Sequence, residues 1–275
     1  MTVAVLITSF NRKDLTFKCI HTLNKFLKDC SIYLVDDNST DGTKELVASN
    51  FSNVKIINGN GNLFWSRGMR LAWLSALKDY DYDFYLWLND DVVLYDCFFD
   101  ELFWCLNFKN GNAVVSGLIE DFNSNIIYGG FTKNKDLVQT SNLPIDIKFM
   151  NGNVVLVSKE VVSKIGVIDP IFHHDLGDVD YGLRALKSGI SVVSTRVPVG
   201  LGSKNISSRI RKDNLNIFSR FKFLYSPLGS PPFINLYFRV KHFGVFNAIV
   251  YFVYLHLINS FPDLLFHKVI RRFKY

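Results

Sequence analysis

Two pairs of adjacent aspartates each follow an apolar run in this 275-residue chain. Leu86-Trp87-Leu88 runs into Asn89-Asp90-Asp91, and Leu34-Val35 runs into Asp36-Asp37. Neighbouring carboxylates repel, so such a pair persists where it faces water or where a cation lies between it and a ligand. Carboxylate, phosphate and water oxygens suit a hard ion such as Mg2+ or Mn2+. The plainer alternative is a solvated turn or helix cap. Behind Asp36 and Asp37, Ser39, Thr40 and Asp41 are candidates for a helix N-cap. Capping does not require carboxylates at the strand end itself, where one can accept from a base N–H or a ribose hydroxyl.

Two further stretches carry reactive side chains. Asn60-Gly61-Asn62-Leu63-Phe64-Trp65-Ser66-Arg67-Gly68-Met69-Arg70 combines residues that permit close backbone approach with two arginines. Cations at a helix start oppose its dipole, so Arg67 and Arg70 read either as diphosphate contacts or as stems packed on Trp65. Asn62 and Trp65 share that candidate surface. Downstream, His173-His174-Asp175-Leu176-Gly177-Asp178-Val179-Asp180 precedes Arg184. Asp178 would occupy the first turn of a helix, where a carboxylate stays ionised, as a general base must. Asp180 and Arg184 stand four apart, the spacing of a helix ion pair. His173 and His174 are either structural or acceptor-contacting, with His174 a candidate metal ligand.

The elements that must position these groups alternate along the first two hundred residues. Val3–Ile7, Ser31–Val35, Val54–Ile57 and Phe84–Leu88 are short apolar runs of the kind buried parallel strands show. Leu15, Cys19, Leu23 and Phe26 mark one helix face; Thr43 to about Ala48 and Arg67–Lys78 predict two more helices. This order predicts a doubly wound sheet with right-handed crossovers. Its strands end in Thr8-Ser9, Asp36-Asp37 and Asp90-Asp91, and ligands of open parallel sheets bind at that carboxyl edge. After Cys97 the pattern becomes mixed. Ala113–Ile119, Ile126–Gly130, Val154–Val157 and Ser191–Ser194 read as strands, a short helix starts at Lys159, and Asp178–Lys187 reads as a helix. This half is expected to build the acceptor side.

Charge divides the chain. Lys204 to Tyr275 holds 12 Lys/Arg against 2 Asp/Glu, a net of +10, which leaves −4 for the rest of a chain at +6. The basic tail is also aromatic and apolar, which points to an anionic membrane surface rather than nucleic acid. Phe243–Ile258 is nearly all apolar but short of the ~20 residues that span a bilayer. An interfacial helical hairpin, core packing and a span all stay open. The expected division is a catalytic domain over 1–205 and a helical extension over 206–275. Four cysteines without Cys-x-x-Cys spacing read as free thiols of a reducing cytosol. The N-terminus lacks a basic region and a cleavage site, so it reads as a first strand and not as a signal peptide.

Together these segments resemble family 2 glycosyltransferases of the GT-A fold. Val5-Leu6-Ile7-Thr8-Ser9-Phe10-Asn11-Arg12 is similar to the family's first strand and nucleotide loop. Asp36-Asp37-Asn38-Ser39-Thr40-Asp41-Gly42-Thr43 is similar to its DDxSxDGT segment, Asn89-Asp90-Asp91 to its DxD-type motif, and Gly177-Asp178-Val179-Asp180 with Leu183-Arg184 to its EDxDxxxR segment. Over about the first two hundred residues the resemblance implies an α/β, Rossmann-like, mostly parallel sheet with a mixed acceptor-side half; the helical, aromatic and basic C-terminal tail lies beyond the match. It also implies inverting transfer from a UDP- or dTDP-sugar to a hydroxyl of a glycan in cell-surface polysaccharide synthesis, and the charge and apolar run of the tail add the expectation of a lipid-linked acceptor at the inner face of the membrane. Thr8, Ser9, Asn11 and Arg12 then line the nucleotide loop, Asp37 meets the base, Arg67 and Arg70 lie near the diphosphate or sugar, and Asp90 meets sugar or ribose. Asp91 ligates Mg2+ or Mn2+, and Asp178 is the base. Three departures stand out. Asn89 replaces the first acidic residue, Gly177 replaces the Glu of the ED pair, and Pro198–Lys204 lacks the histidine many relatives use as a metal ligand, for which His174 is the candidate substitute. Two other readings share parts of the pattern. A sugar-nucleotidyltransferase would want a Gly-rich basic loop after the first strand, and a non-catalytic carbohydrate- or membrane-binding subunit would not need the missing acids.

Overall fold

The computed structural model describes residues 1–204, 208–263 and 266. Nine strands form one sheet in the order β3-β2-β1-β4-β8-β6-β9-β5, with β7 paired to β6. The parallel half comprises β1 (Val3–Ser9), β2 (Cys30–Asp36), β3 (Val54–Asn58) and β4 (Phe84–Leu88). The mixed half follows with β5 (Val93–Leu94), β6 (Ala113–Glu120), β7 (Ile126–Tyr128), β8 (Val154–Ser158) and β9 (Ser191–Leu201). β8 runs antiparallel to β4 and β6, whereas β9 runs parallel to β6.

Period-two alternation splits the core between the two faces of the sheet. Val3, Val5 and Ile7 pack on one face with Cys19, Ile20 and Leu23 of α1 (Lys13–Phe26) and with Val47 of α2 (Thr43–Asn50). Phe98, Leu102 and Leu106 of α4 (Phe98–Phe108) join that face. Ala4 and Leu6 face the other way, toward Met69, Trp73 and Ala76 of α3 (Phe64–Asp79), Val161 of α5 (Lys159–Ile165) and Tyr181 of α6 (Gly177–Lys187). Burial on both faces explains why the parallel strands read as unbroken apolar runs.

Several boundaries differ from the sequence reading. α3 begins at Phe64, not Arg67, because its first-turn N–H groups find an outside acceptor: Ser66 donates to the His173 carbonyl at 2.9 Å. α4 has a buried stripe, Phe98, Phe99, Leu102, Cys105 and Leu106, which the sequence reading passed over because exposed Trp104 and Phe108 blur it. β9 continues through Pro198, which looks like a strand terminator, because register shifts at Leu118 in β6 absorb it. All four cysteines are free thiols.

The chain divides into two compact units, Met1–Lys204 and Asn205–Tyr275. The second holds α7 (Ile217–Leu224), α8 (Pro232–Phe243) and α9 (Val245–Ser260). The apolar run expected over Phe243–Ile258 is broken at Gly244, whose φ of +89° ends α8 and starts α9. α8 and α9 form a hairpin: Arg239 donates to Asn247 Oδ1 at 2.7 Å and lies 3.4 Å over the Tyr251 ring. Arg211 ties the end of α9 by donating to the Ile258 carbonyl and the Asp263 carboxylate. Among the described residues no helix is long and apolar enough to cross a membrane. The basic residues from Lys268 onward lie outside the described residues.

Candidate active site

The register of the sheet brings the acidic strand ends to one edge. Ser9 at the end of β1 pairs with Asp36 at the end of β2, and Leu88 at the end of β4 pairs with Val154 at the start of β8. The turn after β4 and the loop before β8 are joined directly, since Asn89 N–H donates to the Asn153 carbonyl at 2.8 Å.

Beyond β4 stand Asp90 and Asp91, and one guanidinium holds both. Arg12 Nη1 lies 2.9 Å from Asp90 Oδ1 and 2.9 Å from Asp91 Oδ2. Asp90 is 4% exposed, and its burial pushes its carboxyl up to about 6, with Arg12 opposing that rise and Asp91 adding to it. Behind it, Thr16 Oγ1 contacts Asp90 Oδ2 at 3.5 Å and Ser9 Oγ at 2.7 Å. The Arg12 backbone is fixed by the neighbouring loop: Asn11 N–H donates to Ser39 Oγ (3.0 Å), Thr40 N–H to Asn11 Oδ1 (2.7 Å) and Lys13 N–H to Asp41 Oδ2 (2.9 Å).

Asn89 does not join the acidic pair. Its Oδ1 accepts from Trp65 Nε1 at 2.7 Å, and the Trp65 ring packs edge-on against Trp87. The indole in turn lies over Gly152, where an added Cβ would stand 2.5 Å from the ring and 3.1 Å from Asp178 Cβ. Gly152 N–H donates to Asp178 Oδ2 at 2.9 Å, and Val179 N–H to Asp178 Oδ1 at 2.8 Å. Burial, with Asp175 adding to it, raises the Asp178 carboxyl to about 6; the two backbone donors hold that rise down. The chain Asn89–Trp65–Gly152–Asp178 therefore links the acidic strand end to the carboxylate at the start of α6. Gly152 and the indole role of Asn89 escaped the sequence reading. The Asn-Gly step of Met150-Asn151-Gly152-Asn153, just ahead of a strand, was the available signal.

Other candidates are placed differently from expectation. Ser9 is 3% exposed and its hydroxyl is spent on Thr16, so it supports Asp90 instead of facing a ligand. Thr8 packs against α3, where Gly68 has no room for a Cβ beside the Thr8 side chain. Asp37, expected at the base, is 4% exposed and accepts from the N–H groups of Gly61 (2.8 Å), Leu63 (2.9 Å) and Phe64 (3.1 Å). It shapes the loop that presents exposed Asn62 and the half-buried Trp65. Arg67 and Arg70, expected near a diphosphate, donate to the carbonyls of Pro170 (3.1 Å) and Ile168 (2.6 Å) and clamp the 168–174 segment. Gly177 departs from the acidic pattern for a steric reason: a side chain there would run into Ser66. Asp180 is fully buried and takes Arg184 Nε at 2.8 Å, while Arg184 also donates to the Val167 carbonyl at 2.8 Å. This is a structural ion pair.

No cluster of three or more His, Cys, Asp or Glu able to hold a metal exists among the described residues. His174 packs edge-on against Phe64, 6.2 Å between ring centroids, and forms no such cluster with Asp90 and Asp91. The protein's own set is Asp90 and Asp91. A six-coordinate hard ion fits there only if diphosphate oxygens and water complete its shell.

A family model described as "Glycosyl transferase family 2" matches residues 4–165. No curated protein matches the sequence. Solved structures of similar fold include TarS 1-349 of S. aureus in complex with UDP-GlcNAc, at 13% identity and a TM-score of 0.58 over 96% of this chain and 74% of that one. GalNAc-T7 with UDP, GalNAc and Mn2+ gives 14% and 0.60 over 88% and 55%. The mannosyltransferase PcManGT of Pyrobaculum calidifontis, with GDP-Man and Mn2+, gives 13% and 0.56 over 99% and 80%.

Proposed function

This chain belongs to glycosyl transferase family 2, and from that membership and its sheet edge we propose an inverting transfer of a sugar from a UDP- or dTDP-sugar to a hydroxyl of a glycan acceptor. Its fold is the GT-A type. The observation that carries the proposal is the continuous contact path from Asp91 through Arg12 and Asp90, and from Asn89 through Trp65 and Gly152 to Asp178.

The nucleotide lies along the loop after β1 and the loop that Asp37 shapes, with Asn11, Asn62 and Trp65 as its contacts. Arg12 and Asp91 face the diphosphate, and Asp90 meets the sugar or ribose. Asp91 would hold Mg2+ or Mn2+, which would supply charge neutralisation for the leaving group. Asp178 accepts the acceptor hydroxyl proton as that oxygen attacks the anomeric carbon and the bond to the diphosphate breaks. A carboxyl raised to about 6 is still ionised at neutral pH and is a stronger base than an ordinary aspartate. Its two backbone donors fix the carboxylate plane.

The acceptor is proposed to be lipid-linked, in cell-surface polysaccharide synthesis, with the protein peripheral on the cytoplasmic face of the membrane. Support comes from α9, where Phe246 (83% exposed), Ile249, Val250, Val253 and Leu257 form an exposed apolar stripe at helical spacing. The basic tail complements an anionic lipid surface.

Donor consumption by purified protein, with and without EDTA, tests the proposal. Turnover that EDTA suppresses is expected; a protein that binds nucleotide sugar but never consumes it is a binding subunit instead. In calorimetry, Asp91→Ala is expected to abolish the enhancement of UDP binding by Mn2+. Unchanged enhancement would remove Asp91 from the metal site.

A further inference from the structure

Arg12 lies between the two carboxylates of Asp90 and Asp91 and reaches both through one nitrogen, Nη1. Its backbone and its side chain are held differently. The loop backbone is pinned to Ser39, Thr40 and Asp41 through its neighbours, and the Arg12 carbonyl accepts Thr16 N–H at 2.9 Å. The side chain is 48% exposed, and among the described residues its guanidinium pairs with the two carboxylates alone. Among the described residues nothing else anchors it, so it can swing without moving the loop. Asn89, which could have offered a third oxygen, is committed to the Trp65 indole.

We propose that Arg12 is a built-in counter-ion that closes the Asp90–Asp91 pair to divalent cations in the free protein, and that a nucleoside diphosphate opens it by taking the guanidinium. This rests on the reading of the edge as the donor site. Charges compete for the two carboxylates. A divalent cation arriving alone must displace Arg12 from Asp91 and leave a guanidinium beside a dication, with no new partner. A diphosphate supplies that partner, because guanidinium pairs with phosphate oxygens in a two-pronged, charge-assisted geometry. It also supplies the oxygens that the two carboxylates lack. Metal and nucleotide therefore bind as a coupled pair, each raising the affinity for the other by the same factor. An empty active site is left with its acids neutralised.

The test is Mn2+ binding, followed by calorimetry or by the loss of the free-ion electron paramagnetic resonance signal. MnCl2 is added alone to the wild-type protein, Arg12→Gln and Arg12→Lys, with near-ultraviolet circular dichroism confirming that each is folded. Arg12→Gln is expected to bind Mn2+ at least about tenfold more tightly than wild type, and Arg12→Lys to stay closed. Adding Asp91→Asn to Arg12→Gln is expected to remove the gained site. In wild type, UDP is expected to restore Mn2+ binding, and that enhancement shrinks in Arg12→Gln. Equal Mn2+ affinity in wild type and Arg12→Gln, whether both bind or neither does, overturns the proposal, as does gained binding that survives Asp91→Asn. None of these readouts uses turnover. A protein that never consumes donor but shows the Arg12→Gln gain loses the proposed activity and keeps the counter-ion.

Discussion

The base role proposed for Asp178 rests on its surroundings. Because its carboxyl is raised to about 6, the base is protonated below that value and ionised above it. The profile of kcat/KM is therefore expected to rise with unit slope as pH increases through about 6, and then to level. A profile flat from pH 5 to 8 would mean that no such base titrates. Gly152 is the second test at this scale. Gly152→Ala places a methyl group against the Trp65 ring and Asp178 Cβ, and is expected to cost about 1–3 kcal/mol of stability together with most of the turnover, read by denaturant titration and donor consumption. Sequence pattern was enough to single out Asp178, Asp90 and Asp91, because carboxylates at strand and helix ends have a physical signature. It could not show that Asn89 serves an indole, that Asp37 turns inward to a loop, or that Arg67 and Arg70 hold carbonyls. Those are facts of side-chain direction across contacts 24 to 103 residues apart.

Elements deliver these residues by packing and by buried ion pairs. Arg184 joins α6 to the Ile165 and Val167 carbonyls and to Asp180, which is fully buried. Arg184→Ala is expected to destabilise the fold by about 3–5 kcal/mol, measured by urea unfolding; a loss under 1 kcal/mol would show that Asp180 does not depend on this pair. Glu101 of α4 plays a matching part, accepting from the Arg196 backbone (2.7 Å) and guanidinium (2.7 Å) on β9. The parallel half of the sheet was legible because short apolar runs alternate with helix faces. α4 was not, since exposed Trp104 and Phe108 blur its buried stripe of Phe98, Leu102, Cys105 and Leu106, and the length of β9 was hidden by Pro198, which the β6 register shift absorbs.

The whole molecule adds a basic, aromatic second unit to a catalytic sheet. Its apolar run lies almost wholly in α9, set off from α8 at Gly244, where the backbone turns, a boundary that hydropathy alone does not reveal. Co-sedimentation with phosphatidylglycerol vesicles tests the proposed membrane face. Phe246→Glu, at an 83% exposed position, is expected to weaken binding roughly tenfold or more while leaving the fold intact; binding that is unaffected would remove α9 from the membrane. The central claim is that one carboxylate at the start of α6 performs base catalysis beside the donor edge. Its most direct measurement compares single-turnover sugar transfer and nucleotide-sugar binding in wild type and Asp178→Asn. A fall in rate of ~10²–10⁴ with donor affinity unchanged is the predicted result. Wild-type turnover in Asp178→Asn would contradict it.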